Sequence, residues 1–178
     1  DCCSTNTGSW YQFAEINAKS SISSKNYINY SSFARCVNDH TSSGAIFYVR
    51  YGKICCTSNN ISMNKIGYRP GFSSDPLTDS KVVTCSFLYS SFVDNIATTC
   101  TCIYYNNANA KSEIKYCNIL RNTQANLNSE GTISLYGNLT IENSCFIENN
   151  ANYIFYSSSS HYKYTLSNCT LDKTITNT

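Results

Sequence analysis

One spacing constrains this chain more than any other feature. Apolar residues recur at Phe33, Ile61, Phe92, Ile119, Phe146 and Leu171, at intervals of 28, 31, 27, 27 and 25 residues. Five residues ahead of each stands a second apolar or thiol residue: Ile28, Cys56, Phe87, Ile114, Ile141 and Leu166. Three residues behind five of them come Cys36, Asn64, Asn95, Asn122 and Asn149. A pattern that repeats at this period marks a repeat architecture, in which one unit buries its apolar face against the next copy.

The unit is clearest over 132–150, where strand-like runs at 133–136 and 139–141 flank a turn at Gly137-Asn138. An Asn/Ser/Cys segment follows, then Phe146-Ile147. Comparable upstream runs lie at 13–16, 45–49, 102–105 and 153–156. Each coil therefore holds two to three short strands joined by polar bends. Leucine-rich repeats have a similar length but need an L-x-x-L-x-L pattern that is absent, and propeller blades need longer units. A parallel β-helix fits: an all-β solenoid of about six coils, each about 4.8 Å above the last, in a column about 29 Å tall.

The motif covers 13–172. Residues 1–12 read as the edge of a preceding coil or an N-terminal segment, and 173–178 as a tail or the start of another coil. Neither end offers an amphipathic helix to cap the column. Bare edges invite pairing, so further coils beyond this chain, or copies stacked end to end, are expected. Asp1 in place of Met points to a processed chain or a piece of a longer one. The third coil departs from the pattern. Residues 67–76 hold both prolines and read as a loop leaving the column, either a connecting insertion or a partner-contacting loop.

Composition agrees with this architecture. The chain is 42% hydrophobic but only 13% charged, about half the usual charged share. Stacked columns disfavour like charges, and Asn and Ser can satisfy one another in ladders at bends. The net charge is +2, and no Lys/Arg run is visible, which argues against a nucleic-acid partner. No apolar run is long enough to span a membrane. With eleven cysteines but no C-x-x-C pair, and only His40 and His161 beside them, no metal or cofactor is expected. An oxidising compartment is the better reading of the thiols. In register, Cys145 is placed to bridge either Cys117 or Cys169, and Cys55 and Cys56 lie near Cys85. The alternative is a stack of reduced cysteines serving as small core residues. Sequons at Asn29, Asn60, Asn138 and Asn168 are candidate N-glycosylation sites, although a chain this rich in Asn, Ser and Thr also makes sequons by chance.

The segments NYINYSSFARC, SSGAIFYV, KSEIKYCNILRN and LTIENSCFIENNANYIFYSSSS resemble the Cys/Asn-rich right-handed β-helix surface proteins of trichomonad protists. Those are similar to polymorphic outer membrane protein repeats and the pectate-lyase-like fold. The resemblance covers about 13–172. It implies a right-handed coil and a secreted or surface-anchored ectodomain with an adhesive role, usually with a membrane anchor that is not visible in this sequence.

The acids do not assemble into a catalytic pair. Asp94 and Glu148 share a column with Arg121 between them, about 10 Å from end to end. That separation slightly exceeds the inverting glycosidase range, and an arginine fills the gap. A structural charge ladder is expected instead. Asp75 and Asp79 flank Pro76 without a general base beside them. If Ile46, Ile103, Ile133 and Ile154 point inward, then Phe47, Tyr104 and Phe155 point outward with Tyr136 nearby. Such a line would suit a sugar face or another protein; with the opposite phase, the rings are core. The expected function is a non-catalytic extracellular structural or adhesive β-helix that stacks end to end. A glycan- or host-protein-binding module is the alternative, and a polysaccharide lyase or hydrolase is the reading the residues support least.

Overall fold

In the computed structural model, which describes residues 14–17, 24–38, 45–67, 71–126 and 130–172, every regular element is a β-strand. The strands form four parallel sheets; each coil contributes one strand to each of the first three in turn, and four coils add a strand to the fourth. The first sheet stacks Ala14–Asn17, Phe47–Arg50, Phe72–Asp75, Ile103–Tyr105, Ile133–Leu135 and Phe155–Ser157. The second stacks Lys25–Asn29, Lys53–Thr57, Asp79–Leu88, Ala110–Lys115, Asn138–Glu142 and Tyr164–Ser167. The third stacks Ser32–Ala34, Asn60–Ser62, Ser91–Val93, Asn118–Leu120, Cys145–Ile147 and Thr170–Leu171. The fourth is shorter: Val37–Asn38, Lys65–Ile66, Ile96–Ala97 and Thr123–Gln124. The chain is a parallel β-solenoid. Its coils hold up to four strands rather than two to three, because the two-residue fourth strands are too short to carry an alternation.

The sequence register is the spatial register. Phe33, Ile61, Phe92, Ile119, Phe146 and Leu171 stand rung on rung in the third sheet. Ile28, Cys56, Phe87, Ile114, Ile141 and Leu166 do the same in the second. Strand alternation sends both columns into one core, where Phe33, Phe47, Phe72, Phe87 and Phe92 meet edge to face and stacked, with ring centroids 4.7–6.4 Å apart.

Corners need a different account. Among the described residues, twelve other than glycine have positive φ. Most fall in two columns: Tyr30, Ser58, Tyr89, Tyr116, Asn143 and Asn168 between the second and third sheets, and Arg35, Met63, Asp94, Arg121 and Glu148 between the third and fourth. A left-handed residue reverses the local twist and turns the chain, at a cost of about 1–2 kcal/mol for a side chain bearing Cβ. Here its N–H stays in the inter-coil ladder. Tyr30 N donates to Thr57 O, Tyr89 N to Lys115 O and Arg121 N to Ile147 O at 3.0 Å each.

Just past the second of these corners the asparagines form a buried ladder. Asn95 N and Nδ2 both donate to Asn122 Oδ1, at 3.1 and 2.9 Å, and Asn122 repeats this onto Asn149 at the same distances. Each Nδ2 also reaches back to an anchor carbonyl, as from Asn122 to Phe92 O at 2.9 Å. One side chain thus satisfies backbone groups that the bend would otherwise bury unpaired.

The third coil corrects an expectation. Residues 68–70 lie outside the described residues, but Phe72–Asp75 is a first-sheet strand, paired with Phe47–Arg50 and Ile103–Tyr105, not part of a departing loop. Gly71 returns the chain to the column so closely that a Cβ there would sit 1.6 Å from Cys102 O. The extra length is taken up further on. Asp79 pairs with Ala110, 31 residues on, but Cys85 pairs with Ser112, 27 on, so register shifts between them absorb four residues (31 − 27). Bulges of this kind lengthen a strand without breaking its sheet.

Candidate binding surface

The second sheet turns one face to the core and the other to solvent. Its outward residues fall into three columns. The middle one runs Tyr27, Cys55, Ser86, Glu113, Thr140 and Thr165. Toward the tyrosine corner, Lys115 and Glu142 are adjacent in register. Lys115 Nζ lies 3.1 Å from Glu113 and 3.3 Å from Glu142, and Ser86 Oγ donates to Glu113 at 2.8 Å. Both carboxylates raise the Lys115 pKa, chiefly through these hydrogen bonds. The acids on this face are therefore already engaged.

The third column is basic. Lys25 pairs in register with Lys53, Lys111 with Asn138, and Lys163 N donates to Asn138 Oδ1 at 3.0 Å. At the bulged third rung Val83 pairs with Lys111. Lys25, Lys53, Lys111 and Lys163 thus stand in one line along the solenoid axis, and none has a carboxylate in ion-pair range among the described residues. Two depressions open on this line. One, of about 250 Å³, is lined by Lys25, Tyr27, Lys53, Thr84 and Ser86. The other, of about 440 Å³, is lined by Lys111, Asn138, Thr140, Lys163 and Thr165. At the corner on the far edge of the sheet, beyond Lys115 and Glu142, Tyr30 is 84% exposed, and the Tyr89 and Tyr116 rings stack at 4.8 Å.

The aromatic line expected from alternation is not a surface. Phe47 pairs with Phe72, and Phe155 with Ile133, in an inward column; both phenylalanines are buried. Phe155 packs on Phe146 with centroids 5.0 Å apart. Ile46 and Ile154 are buried as well, because each sits at the bend before its strand, where alternation does not yet apply. Reading phase from them shifted the strands by one residue. Tyr104 is on the outward side but is buried, its ring 5.6 Å from that of Tyr136. Tyr136 is half-buried.

Of the two readings, the reduced one is seen: Cys55, Cys56, Cys85, Cys117, Cys145 and Cys169 are unbridged thiols in this structure, while Cys2 and Cys3 lie outside the described residues. Cys145 pairs in register with Asn118 and Thr170 in the third sheet. Cys117 and Cys169 instead sit in the preceding corner, in a column with Ser90 and Ser144. Ser90 N donates to Cys117 Sγ at 3.4 Å, and Cys117 N to Ser144 Oγ at 3.1 Å. Cys117 Sγ lies 3.3 Å from Lys115 O, as Ser144 Oγ lies 2.8 Å from Glu142 O. Cysteine here does the work of serine. Cys85 stands opposite Ile54, and Cys56 opposite Phe87. Both thiols are buried, so desolvation pushes their pKa values up, Cys85 to about 12.

Other candidates fall as follows. Asn29, Asn60, Asn138 and Asn168 are all exposed. Arg121 Nε and Nη2 grip the two Asp94 oxygens at 2.7 and 3.0 Å, which holds the Asp94 pKa down; Glu148 adds only a longer-range attraction to Arg121. Asp75 faces Arg50 in register, and burial raises its pKa. His161 is exposed with Nδ1 3.0 Å from Ser159 Oγ; His40 lies outside the described residues. Among the described residues no group of three or more His, Cys, Asp or Glu side chains is arranged to hold a metal. No helix there is long and apolar enough to cross a membrane.

Sequence spacing alone hid the lysine line, whose successive members lie 28 to 58 residues apart. The inward columns supplied the signal that could have found it, since counting back an odd number of residues from each gives the outward face.

The class defined by this fold is the parallel β-solenoid. No family model matches the chain, and no curated protein or solved structure shows significant similarity to it.

Proposed function

We propose that this chain is a non-catalytic structural and adhesive module of the cell exterior, a rigid solenoid that lengthens by stacking further coils of its own kind. One column carries the reading. Cys56, Phe87, Ile114 and Ile141 are 0% exposed, whereas Leu166, the next residue in that column, is 39% exposed. Among the described residues, Tyr164–Ser167 and Thr170–Leu171 have a strand on one side only. Among the described residues no strand covers their other side, where an apolar column residue stands. That combination templates strand addition, and covering the part of Leu166 still exposed contributes about 1 kcal/mol. A coil in the same register meets both needs.

Sedimentation velocity over a concentration series tests this. The expected result is elongated oligomers that grow with concentration and are suppressed by Leu166→Lys. A chain that stays monomeric at every concentration would overturn the stacking half. The four exposed sequons support placement outside the cell. Expression through a eukaryotic secretory pathway should give a mass shift that enzymatic N-glycan removal reverses. The adhesive half rests on the solvent face of the second sheet.

A further inference from the structure

We infer that the lysine line of the second sheet is a binding site for a linear acidic polysaccharide, carboxylated or sulfated, lying along the solenoid axis. This deepens the adhesive half of the reading above and is independent of stacking. Three observations carry it. First, Lys25 and Lys53 are in-register neighbours, about 4.8 Å apart by rung. Like charges directly opposite one another destabilise a sheet, and no carboxylate among the described residues relieves them. Second, Lys111 and Lys163 repeat the charge two rungs apart. The four ammonium groups thus span about 24 Å, a length that fits an extended polyanion rather than one small anion. Third, the floor between them offers hydroxyl and amide groups, alongside Cys55 and Val83 in the first depression. Ser86 lies in one depression, and Asn138, Thr140 and Thr165 lie in the other.

These groups match the alternation of charge and hydroxyl along an acidic sugar chain. Tyr27, 59% exposed beside the Lys25–Lys53 pair, offers a ring face for sugar C–H groups. Nucleic acid fits less well. Single strands need successive aromatic platforms, whereas among the described residues Tyr27 is the aromatic side chain lining the two depressions.

The test is calorimetric titration of the purified chain with polygalacturonate, a sulfated glycosaminoglycan, neutral dextran and oligothymidylate, each at low and high salt. At least one acidic polysaccharide should bind, and more weakly at high salt. Lys111→Gln with Lys163→Gln, and separately Lys25→Gln with Lys53→Gln, should each weaken it about tenfold, or about 1.4 kcal/mol. Lys53→Arg, which keeps the charge, should bind as the parent does. Lys65→Gln, exposed in the fourth sheet, is the control for bulk charge. The site is overturned if neither acidic polysaccharide binds or if dextran binds equally. It is also overturned if Lys65→Gln weakens binding as much as the double variants, or if oligothymidylate binds tighter than both polysaccharides. Oligomer size without ligand is read separately, so loss of the site leaves the stacking result standing.

Discussion

Asn122 and Cys117 look interchangeable as buried polar corner residues, yet they do different amounts of work. Asn122 accepts from Asn95 N and Nδ2 and donates to Phe92 O and Asn149 Oδ1. No other residue type meets all four demands in that shape. Asn122→Ala strips a partner from buried groups on two neighbouring rungs, so a loss of about 3 kcal/mol or more is expected. Cys117 accepts one N–H and contacts a carbonyl, as Ser144 does next to it. Cys117→Ser should therefore change stability by less than about 1 kcal/mol. Urea denaturation of both variants checks the contrast, and a large loss for Cys117→Ser would refute the serine-like role. The sequence showed the asparagine column directly, because the same residue recurs at one offset. It hid the second ladder, because Ser31, Asn59, Ser90, Cys117, Ser144 and Cys169 share hydrogen-bonding capacity but not identity.

At the scale of the element, Phe72–Asp75 teaches the most. Its sequence, Phe-Ser-Ser-Asp, carries two serines and little β propensity. It follows Pro70 and Gly71 and precedes Pro76, which read locally as a loop. It is a strand because parallel neighbours on both sides leave its backbone groups no other partners. Ser73 and Ser74 are buried by that position. Gly71 is the element's weak point. A methyl group there collides with the Cys102 backbone carbonyl, which flexible side chains cannot relieve. Gly71→Ala should cost several kcal/mol, in the range of about 1–3 for overpacking or more, read as a fall in Tm. A conservative change at an outward position of another sheet, such as Ser91→Thr in the third, should not. The corner columns escaped the sequence for a related reason. Left-handed positions usually announce themselves as glycine or asparagine, but here asparagine appears only at Asn143 and Asn168, and most of the others are Tyr, Arg, Met, Asp and Glu, whose side chains lie toward solvent while the ladder holds the backbone.

For the whole molecule, the core's chemistry sets a pH limit. Cys56, Cys85 and Cys102 are fully buried thiols, and burial pushes each pKa above the ordinary 9.0, Cys85 to about 12. Below pH 9 these thiols are protonated in both the folded and the unfolded chain and contribute no pH dependence. As pH rises from 9 toward 12 the unfolded chain releases the protons and the folded chain holds them. Stability must fall over that window, by about 1.4 kcal/mol per unit of difference for each thiol. Thermal unfolding should accordingly be level between neutrality and pH 9 and decline above it. Cys85→Ala, despite its cavity, should show a shallower decline. An unchanged slope would mean that Cys85 is not the group responsible.

The sequence by itself determined the period, the two inward columns and the asparagine ladder. Each depends on one residue type recurring at one offset, and stacking at a fixed rung height converts offset into contact. Only the tertiary structure decided the phase of the first sheet, the serine-like role of the cysteines, the strand at Phe72–Asp75 and the lysine line. Phase depends on where a bend ends, and bends do not alternate. A hydrogen bond selects for capacity rather than identity, so mixed columns leave no spelling to read. Lysines scattered through the chain become one charged line only when the coils are stacked.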